Sequence, residues 1–161
     1  MPARLSKAER QKFLNGRHVA VLVTNGTDGT PLPSPIWYAY RDGKFYFRTA
    51  ADAVKLDNVR RDPRVSICIQ DERAPYKAVI AYGTGEITEA TDWLARALPR
   101  RYLGIVGAMG YEAAAREQIE RSGEVTLVVT PTRYASIDFS AETPVYSRAW
   151  LILKRILPPW L

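Results

Sequence analysis

A strand, a short basic helix and a second strand follow one another between residues 45 and 70, and this run constrains the fold most. The aromatic segment FYFRT predicts a strand over 45–49, and the alternating segment RVSICIQ predicts another over 64–70. Asp52 is the predicted N-cap of the intervening helix, and Pro63 ends it. The chain therefore returns to a sheet through one short helix, with no spare residues at either turn.

The start of this helix is a predicted anion-binding corner. The first N–H groups of a helix lack intrahelical partners, and the helix dipole places partial positive charge at the same end. Thr49 and Lys55 lie near this end and would add a hydroxyl and an ammonium group to the shell around a phosphate. A basic, solvent-facing helix without a ligand explains the same residues, so the pattern alone leaves both interpretations open.

The composition of the chain fits one soluble domain over residues 1–161. Hydrophobic residues make up 47% of the sequence and charged residues 25%, which is ordinary for a globular protein. The formal net charge of +6 suits a phosphorylated ligand, a nucleic acid or an acidic membrane surface without choosing among them. The single cysteine, Cys68, excludes an internal disulfide and is predicted to be a small strand residue in a reducing cytosol.

The two ends of the chain differ in character. The N-terminal segment MPARLSKAERQKFLNG has no apolar core, so the sequence predicts no secretory signal and a cytoplasmic location. The tail over 149–161 is apolar, but Lys154 and Arg155 interrupt it and it is too short to span a bilayer. A second subunit is the favoured partner for this tail, and interfacial membrane contact through Trp150 and Trp160 is the alternative.

Periodicity along the chain predicts a mainly β fold. A helix over 5–15 precedes strands predicted over 17–24, 34–41, 45–49, 64–70, 77–88, 124–131 and 132–139, the first three forming an antiparallel meander. A helical insertion over about 90–121, divided into two helices at Pro99, separates the last two strands from the others. Gly83 and Gly85 predict a bulge or sharp bend of the kind that closes a barrel. The expected architecture is a barrel of six or seven antiparallel strands with peripheral helices.

No combination of residues in the sequence supports nucleophilic or metal catalysis. His18 is the only histidine and begins a predicted buried strand, so a packed, hydrogen-bonded histidine is favoured over a ligand or a base. Neither a GxxxxGK[ST] nor a GxGxxG motif occurs. The sequence identifies no catalytic residue and no metal site, and it assigns the chemistry to a bound cofactor.

The segment PSPIWYAY over 33–40 is a second candidate surface. Pro33 and Pro35 cannot donate ladder hydrogen bonds, which predicts an edge strand or a barrel rim. Ile36 and Trp37 at such a rim would flank a flat heterocycle. Wall packing of the aromatic residues explains the same segment, and on composition alone it is favoured.

Several of these segments together resemble the split-barrel flavin-binding proteins of the pyridoxamine 5′-phosphate oxidase-like superfamily. The shared run consists of PxPIWY, DGxFYFxT, a helix with Lys55 ending in NVRRDPRVSI, and YGTGEIT, and it covers roughly residues 9–139. Its most specific part is the spacing of Thr49, Lys55, Asn58 and the triplet over 61–63. Within the superfamily the chain looks most like the deazaflavin-dependent oxidoreductases.

The resemblance implies a split β-barrel homodimer with a cofactor site at the subunit interface. Coenzyme F420 is the implied cofactor, with FMN as the alternative, and the implied reaction is hydride transfer to an unsaturated small-molecule acceptor. The ring would lie over the second strand and the phosphate near the following helix. The implied cofactor-binding residues are Pro35, Ile36, Trp37, Arg48, Thr49, Lys55, Arg61 and Gln70. Tyr38 and Tyr76 are candidate proton donors.

Two departures from the family pattern keep other functions open. Relatives commonly carry an arginine where this chain has Ala53, and Asp57 adds a negative charge close to Lys55. Arg48, Arg60 or Arg61 would have to replace the missing contact. The remaining alternatives are an FMN-dependent oxidoreductase and a non-catalytic carrier of a flavin, haem or lipid. Nucleic-acid binding ranks last, because the aromatic residues belong to buried strands.

Overall fold

The computed structural model describes residues 3–73 and 75–140, together with Ala149 and Ile152. Its elements in chain order are α1 (Lys7–Leu14), β1 (Ala20–Asn25), β2 (Pro31–Ile36), β3 (Ala39–Arg41), β4 (Lys44–Ala50), α2 (Val54–Arg61), β5 (Arg64–Asp71), β6 (Lys77–Glu89), α3 (Asp92–Ser122) and β7 (Glu124–Asp138). The predicted apolar tail over 149–161 lies outside the described residues except at those two positions.

All seven strands belong to one antiparallel sheet that closes on itself. The strand order is β2-β1-β5-β6-β7-β4-β3, so the two edge strands are β2 and β3. Only Trp37 and Tyr38 separate these edges in sequence. Two residues are far too short to cross a flat sheet of this width, because neighbouring strands lie about 4.8 Å apart. The sheet therefore curls into a barrel with a seam at Trp37 and Tyr38, which confirms the predicted split-barrel class.

The core fills the inside of this barrel. Along β1, β4 and β5, buried and partly exposed residues alternate, as expected for strands with one face inward. The largest fully buried side chains include Tyr38, Phe45, Phe47, Leu22, Ile67, Ile69, Leu127 and Val129. Burial of each large apolar side chain contributes about 1.5–3 kcal/mol, so this set stabilises the closed sheet.

The strand predicted over 34–41 is two strands in the structure. β2 pairs with β1, with Ala20 opposite Ile36, whereas β3 pairs with β4, with Ala39 opposite Tyr46. The predicted meander of the first three strands is therefore wrong, since β2 and β3 lie on opposite edges. Strand propensity is local and pairing is not, so a continuous aromatic run cannot reveal a change of partner.

Two predicted helix boundaries are also wrong. α2 begins at Val54 with Ala53 as its N-cap and no side-chain cap, so Asp52 lies one residue too early. The insertion is helical over Asp92–Ser122 with a break at Gly104, whose φ is 72°. Pro99 lies inside the helical stretch and is buried. Glycine adopts positive φ without the strain that a Cβ atom causes, which explains why the chain turns at Gly104.

The predicted irregularity near Gly83 is confirmed. The register between β6 and β7 shifts between Tyr82 and Gly83, and Thr132 is the extra residue of β7 at that point. A Cβ atom on Gly83 would clash with the backbone carbonyl oxygen of Thr130, so only glycine fits there. β7 continues through this bulge as one strand, in place of the two strands predicted over 124–131 and 132–139.

Candidate functional site

A cavity of about 320 Å³ opens beside the barrel seam, and we call it the seam cavity. Four of the predicted cofactor-binding residues, Pro35, Ile36, Trp37 and Arg48, line it together. The rest of its lining is Val19, Leu98, Pro99 and Tyr111. An apolar wall with a few polar groups and a volume near the lower end of the usual range of about 300–1,000 Å³ is typical of a small-molecule site.

The prolines of β2 place this cavity at a free sheet edge. Pro33 and Pro35 lie opposite Val23 and Val21 of β1, and among the strands that the structure describes β2 has no second neighbour. A residue without an N–H group is tolerated at an edge, where the outer backbone groups need no strand partner. The prediction of an edge strand or barrel rim over 33–40 is thus confirmed, because β2 and β3 are the two edge strands of the described sheet.

Trp37 contacts two tyrosines of α3. Its indole is stacked on the ring of Tyr102, with centroids 4.9 Å apart and planes 4° from parallel. The ring of Tyr111 approaches it at 5.3 Å with a tilt of 44°. Because these two tyrosines lie before and after Gly104, the break in α3 brings both halves of the insertion onto one residue of the seam.

Arg48 is the charged group of the seam cavity. Its Nε donates to the Glu124 carboxylate, and the two side chains are only 12% and 13% exposed. Within the described residues its Nη1 is buried and has no hydrogen-bond partner. A buried guanidinium nitrogen without an acceptor is costly, so an acceptor from a ligand would stabilise this site.

Thr49 and Lys55 are not among the residues that line the seam cavity. Thr49 follows Arg48 directly in β4, and successive side chains of a strand point to opposite faces. Lys55 lies in the first turn of α2, is half-buried and has no ion pair within the described part of the chain. The structure therefore separates the predicted phosphate residues Thr49 and Lys55 from the predicted ring residues.

Arg61 is engaged elsewhere. It donates to the carbonyl of Asn25 and, at 3.3 Å, to Asn58 Oδ1. Asn58 in turn donates to Thr24 Oγ1 at 3.0 Å inside the barrel wall. Hydrogen bonds from Arg64 hold the pKa of the neighbouring Asp62 carboxyl well below its usual range. Hydrogen bonds from Asn58 and Arg61 thus connect α2 to β1. Arg61 also lines a different cavity, beside the turn over 26–29.

Gln70 is exposed and lies on a groove adjoining the seam cavity. This groove is lined by Gln70, Cys68 and His18 among others, and it shares Val19 and Pro35 with the seam cavity. A ligand in the seam cavity that extends past Pro35 would reach this groove. Burial raises the pKa of the Cys68 thiol, which keeps it protonated and unreactive.

The candidate proton donors differ in accessibility. Tyr38 is fully buried and its hydroxyl donates to the carbonyl of Leu14 at 2.9 Å, so it faces the core. Burial raises the pKa of Tyr38, which further disfavours proton release. Tyr76 is 57% exposed and is not among the residues lining the seam cavity. His18 is packed against Phe13 as expected, with ring centroids 4.4 Å apart, but within the described residues its ring makes no hydrogen bond.

Sequence reasoning missed four of the described residues that line the seam cavity. They are Val19, just before β1, and Leu98, Pro99 and Tyr111 of the helical insertion. Their types carry no motif, and only the fold brings them to the seam. Within the described residues, the arrangement offers aromatic and apolar side chains together with the Arg48 guanidinium. Such a set can hold a planar molecule that carries a hydrogen-bond acceptor or an anionic group.

Comparison with protein families now identifies the chain. The family model described as pyridoxamine 5′-phosphate oxidase matches residues 6–138. The protein belongs to this family. Flavin-binding split-barrel proteins, oxidoreductases among them, make up the superfamily, and the seven-stranded barrel agrees with that fold.

Solved structures with the same fold support the assignment. A conserved hypothetical protein of Mycobacterium tuberculosis is 29% identical, with 87% of this chain and 89% of that chain covered and a TM-score of 0.70. An F420 reductase is 22% identical, with coverage of 77% and 94% and a TM-score of 0.59. An FAD-binding protein of Mesorhizobium loti is 20% identical, with coverage of 84% and 96% and a TM-score of 0.58. Comparison with curated proteins gives no match.

Over residues 3–73 and 75–140, no group of three or more His, Cys, Asp or Glu side chains is placed to hold a metal ion. Among the helices described, none combines the length and the apolar character needed to cross a bilayer.

Proposed function

We propose that the protein is an oxidoreductase that binds coenzyme F420 in the seam cavity and transfers a hydride to an unsaturated small-molecule acceptor. The observation that carries this proposal is the seam cavity itself, which Trp37, Pro35, Ile36 and Arg48 line together. Among the described residues, Nη1 of Arg48 has no hydrogen-bond partner. Membership of a flavin-binding family supports a flavin-type cofactor, and the likeness to an F420 reductase motivates the choice of the deazaflavin.

The residues of the cavity fit a tricyclic ring. Pro35, Ile36 and Trp37 offer a flat apolar surface at a strand edge, and Arg48 offers a cationic donor for a carbonyl or phosphate oxygen. Thr49, whose side chain points to the other face of β4, and Lys55 of α2 would then receive an anionic group only if the cofactor extends beyond the seam cavity. Gln70 would lie along the extension past Pro35.

When bound, reduced F420 supplies a hydride, because carbon replaces N5 of the flavin ring. The chain contributes position, charge and exclusion of water. Trp37 and Tyr111 confine the plane of a bound ring, and the apolar side chains Leu98 and Pro99 keep water from one side of it. Because Tyr38 faces the core and Tyr76 lies outside the cavity, we assign the proton that completes the reduction to solvent or to the acceptor's surroundings.

A second copy of the chain would complete the site. Val19 lines both the seam cavity and the adjoining groove and is 48% exposed, so the dimer that the family resemblance implies would have an apolar side chain to cover here. We infer that a homodimer covers this surface. Light scattering behind a sizing column should give twice the monomer mass, and a monomer that still binds cofactor with full affinity would contradict the inference.

Titration of the purified protein with F420 and with FMN tests the cofactor. Quenching of tryptophan and cofactor fluorescence should report micromolar binding of F420 and much weaker binding of FMN. The reverse order of affinities would favour an FMN-dependent oxidoreductase. This is the second candidate function, because binding of FMN requires only a compact site for its single phosphate. A turnover assay with reduced F420 and a quinone separates enzyme from carrier, since a carrier binds without consuming the acceptor.

A further inference from the structure

One hydroxyl group joins the two sides of the barrel seam. The Tyr102 hydroxyl accepts a hydrogen bond from the backbone N–H of Tyr38 at 3.2 Å. The same hydroxyl donates to the carbonyl of His18 at 2.7 Å, two residues before β1 begins. The ring that carries it is stacked on Trp37. Tyr102 thus contacts both residues of the seam and the chain leading into β1.

The seam residues Trp37 and Tyr38 depend on their contacts with Tyr102 because they lie outside the paired segments of the strands. β2 ends at Ile36 and β3 begins at Ala39, so Trp37 and Tyr38 belong to neither paired segment. Buried backbone donors need partners, and a side chain replaces the missing strand neighbour here. The Tyr102 side chain of α3 therefore holds the seam backbone in position.

We propose that Tyr102 is the positioning residue of the seam cavity. Its hydroxyl fixes the Tyr38 backbone, and its ring fixes the plane of Trp37, against which a flat heterocycle packs. The identity of that heterocycle rests on the proposed function, whereas the positioning itself can be measured without any ligand.

Tyr111 provides a matched control for this role. It also contacts Trp37 from α3, yet in the part of the chain that the structure describes its hydroxyl makes no hydrogen bond. Tyr102→Phe and Tyr111→Phe therefore remove the same atom from two rings that contact the same indole. Only the first change removes a bond to the seam backbone.

The first experiment follows amide hydrogen exchange by NMR in the protein without cofactor. In Tyr102→Phe the Tyr38 amide should exchange about tenfold faster than in the wild type, which corresponds to loss of one hydrogen bond. Core amides such as Leu22 should keep their rates, and Tyr111→Phe should leave the Tyr38 amide unchanged. An unchanged Tyr38 rate in Tyr102→Phe would overturn the proposal.

The second experiment measures the Kd of F420 and FMN for the same variants. Tyr102→Phe should weaken whichever cofactor the wild type binds by about three- to tenfold, and Tyr102→Leu, which also loses the stacked ring, should weaken it further. Tyr76→Phe, at an exposed position outside the cavity, should bind like the wild type.

The two experiments separate the two possible failures. Wild-type protein that binds neither cofactor would refute the proposed function, while the exchange rates would still decide the role of Tyr102. Faster exchange combined with wild-type affinity in Tyr102→Phe would overturn the positioning role, because the seam would then move without consequence for the ligand.

Discussion

Arg48 of β4 and Glu124, the first residue of β7, form an ion pair that is almost fully removed from solvent. Glu124 lies opposite Ala50 in the ladder, so the pair runs diagonally between the two strands. The pair satisfies Nε of Arg48 and leaves Nη1 without a partner among the residues described. A guanidinium held in this way is anchored and still has a donor for a ligand.

Removing the carboxylate should destabilise the protein strongly. Glu124→Gln leaves a buried guanidinium without its counter-charge, which costs about 3–5 kcal/mol. Glu117→Gln is the control, because the Glu117–Arg121 pair is exposed and such pairs contribute at most about 1 kcal/mol. Urea unfolding of both variants gives the comparison, and equal losses would show that the Arg48–Glu124 pair is not desolvated.

Lys55 is the residue that most directly tests where a phosphate binds. Lys55→Ala should weaken FMN by about 1.5–3 kcal/mol, the range for a hydrogen bond to a charged group. The same variant should bind riboflavin, which lacks the phosphate, as the wild type does. Arg60→Ala is a suitable control, because Arg60 is exposed and already paired with Asp57. Equal FMN affinity in wild type and Lys55→Ala would remove Lys55 from the site.

Gly83 of β6, which lies opposite the bulge in β7, should tolerate no side chain. Gly83→Ala places a Cβ atom against the backbone of Thr130 and Pro131, neither of which can move independently of the ladder, and overpacking of this kind costs about 1–3 kcal/mol. Gly110→Ala has open space around its new methyl group and should stabilise α3 by about 0.5–1 kcal/mol. Thermal unfolding measures both changes, and a neutral Gly83→Ala would contradict the close approach.

Acidification should weaken the fold through His18. Burial lowers the pKa of His18, the opposing effect of Asp71 being smaller, and Arg101 and Arg73 lower it further. The unfolded chain, with a histidine pKa of about 6.5, then binds more protons than the folded one, so the free energy of unfolding falls as pH drops below that value. His18 is the only histidine, so His18→Gln should flatten the urea-unfolding profile between about pH 5 and 7. An identical slope in both proteins would exclude this cause.

The sequence predicted individual strands and helices better than it predicted which strands pair with each other. Phe45 and Phe47 alternate with polar residues, and Gly83 interrupts a strand pattern, so β4 and the bulge could be predicted from neighbours alone. Trp37 reads as the middle of a strand, because nothing nearby in sequence shows that its two sides pair with β1 and β4. Tyr102 contacts Trp37 and Glu124 contacts Arg48 from distant parts of the chain, and no short-range pattern could predict either contact.

The central claim is that a flavin-type cofactor binds in the seam cavity against Trp37 and Arg48. Titration of the wild type and of Arg48→Met/Glu124→Leu with F420 and FMN tests it most directly, since the double change removes the donor without leaving a lone buried charge. The account predicts micromolar binding of F420 by the wild type and at least about tenfold weaker binding by the variant. Equal affinity of the two proteins, or no binding of either cofactor by the wild type, would contradict it.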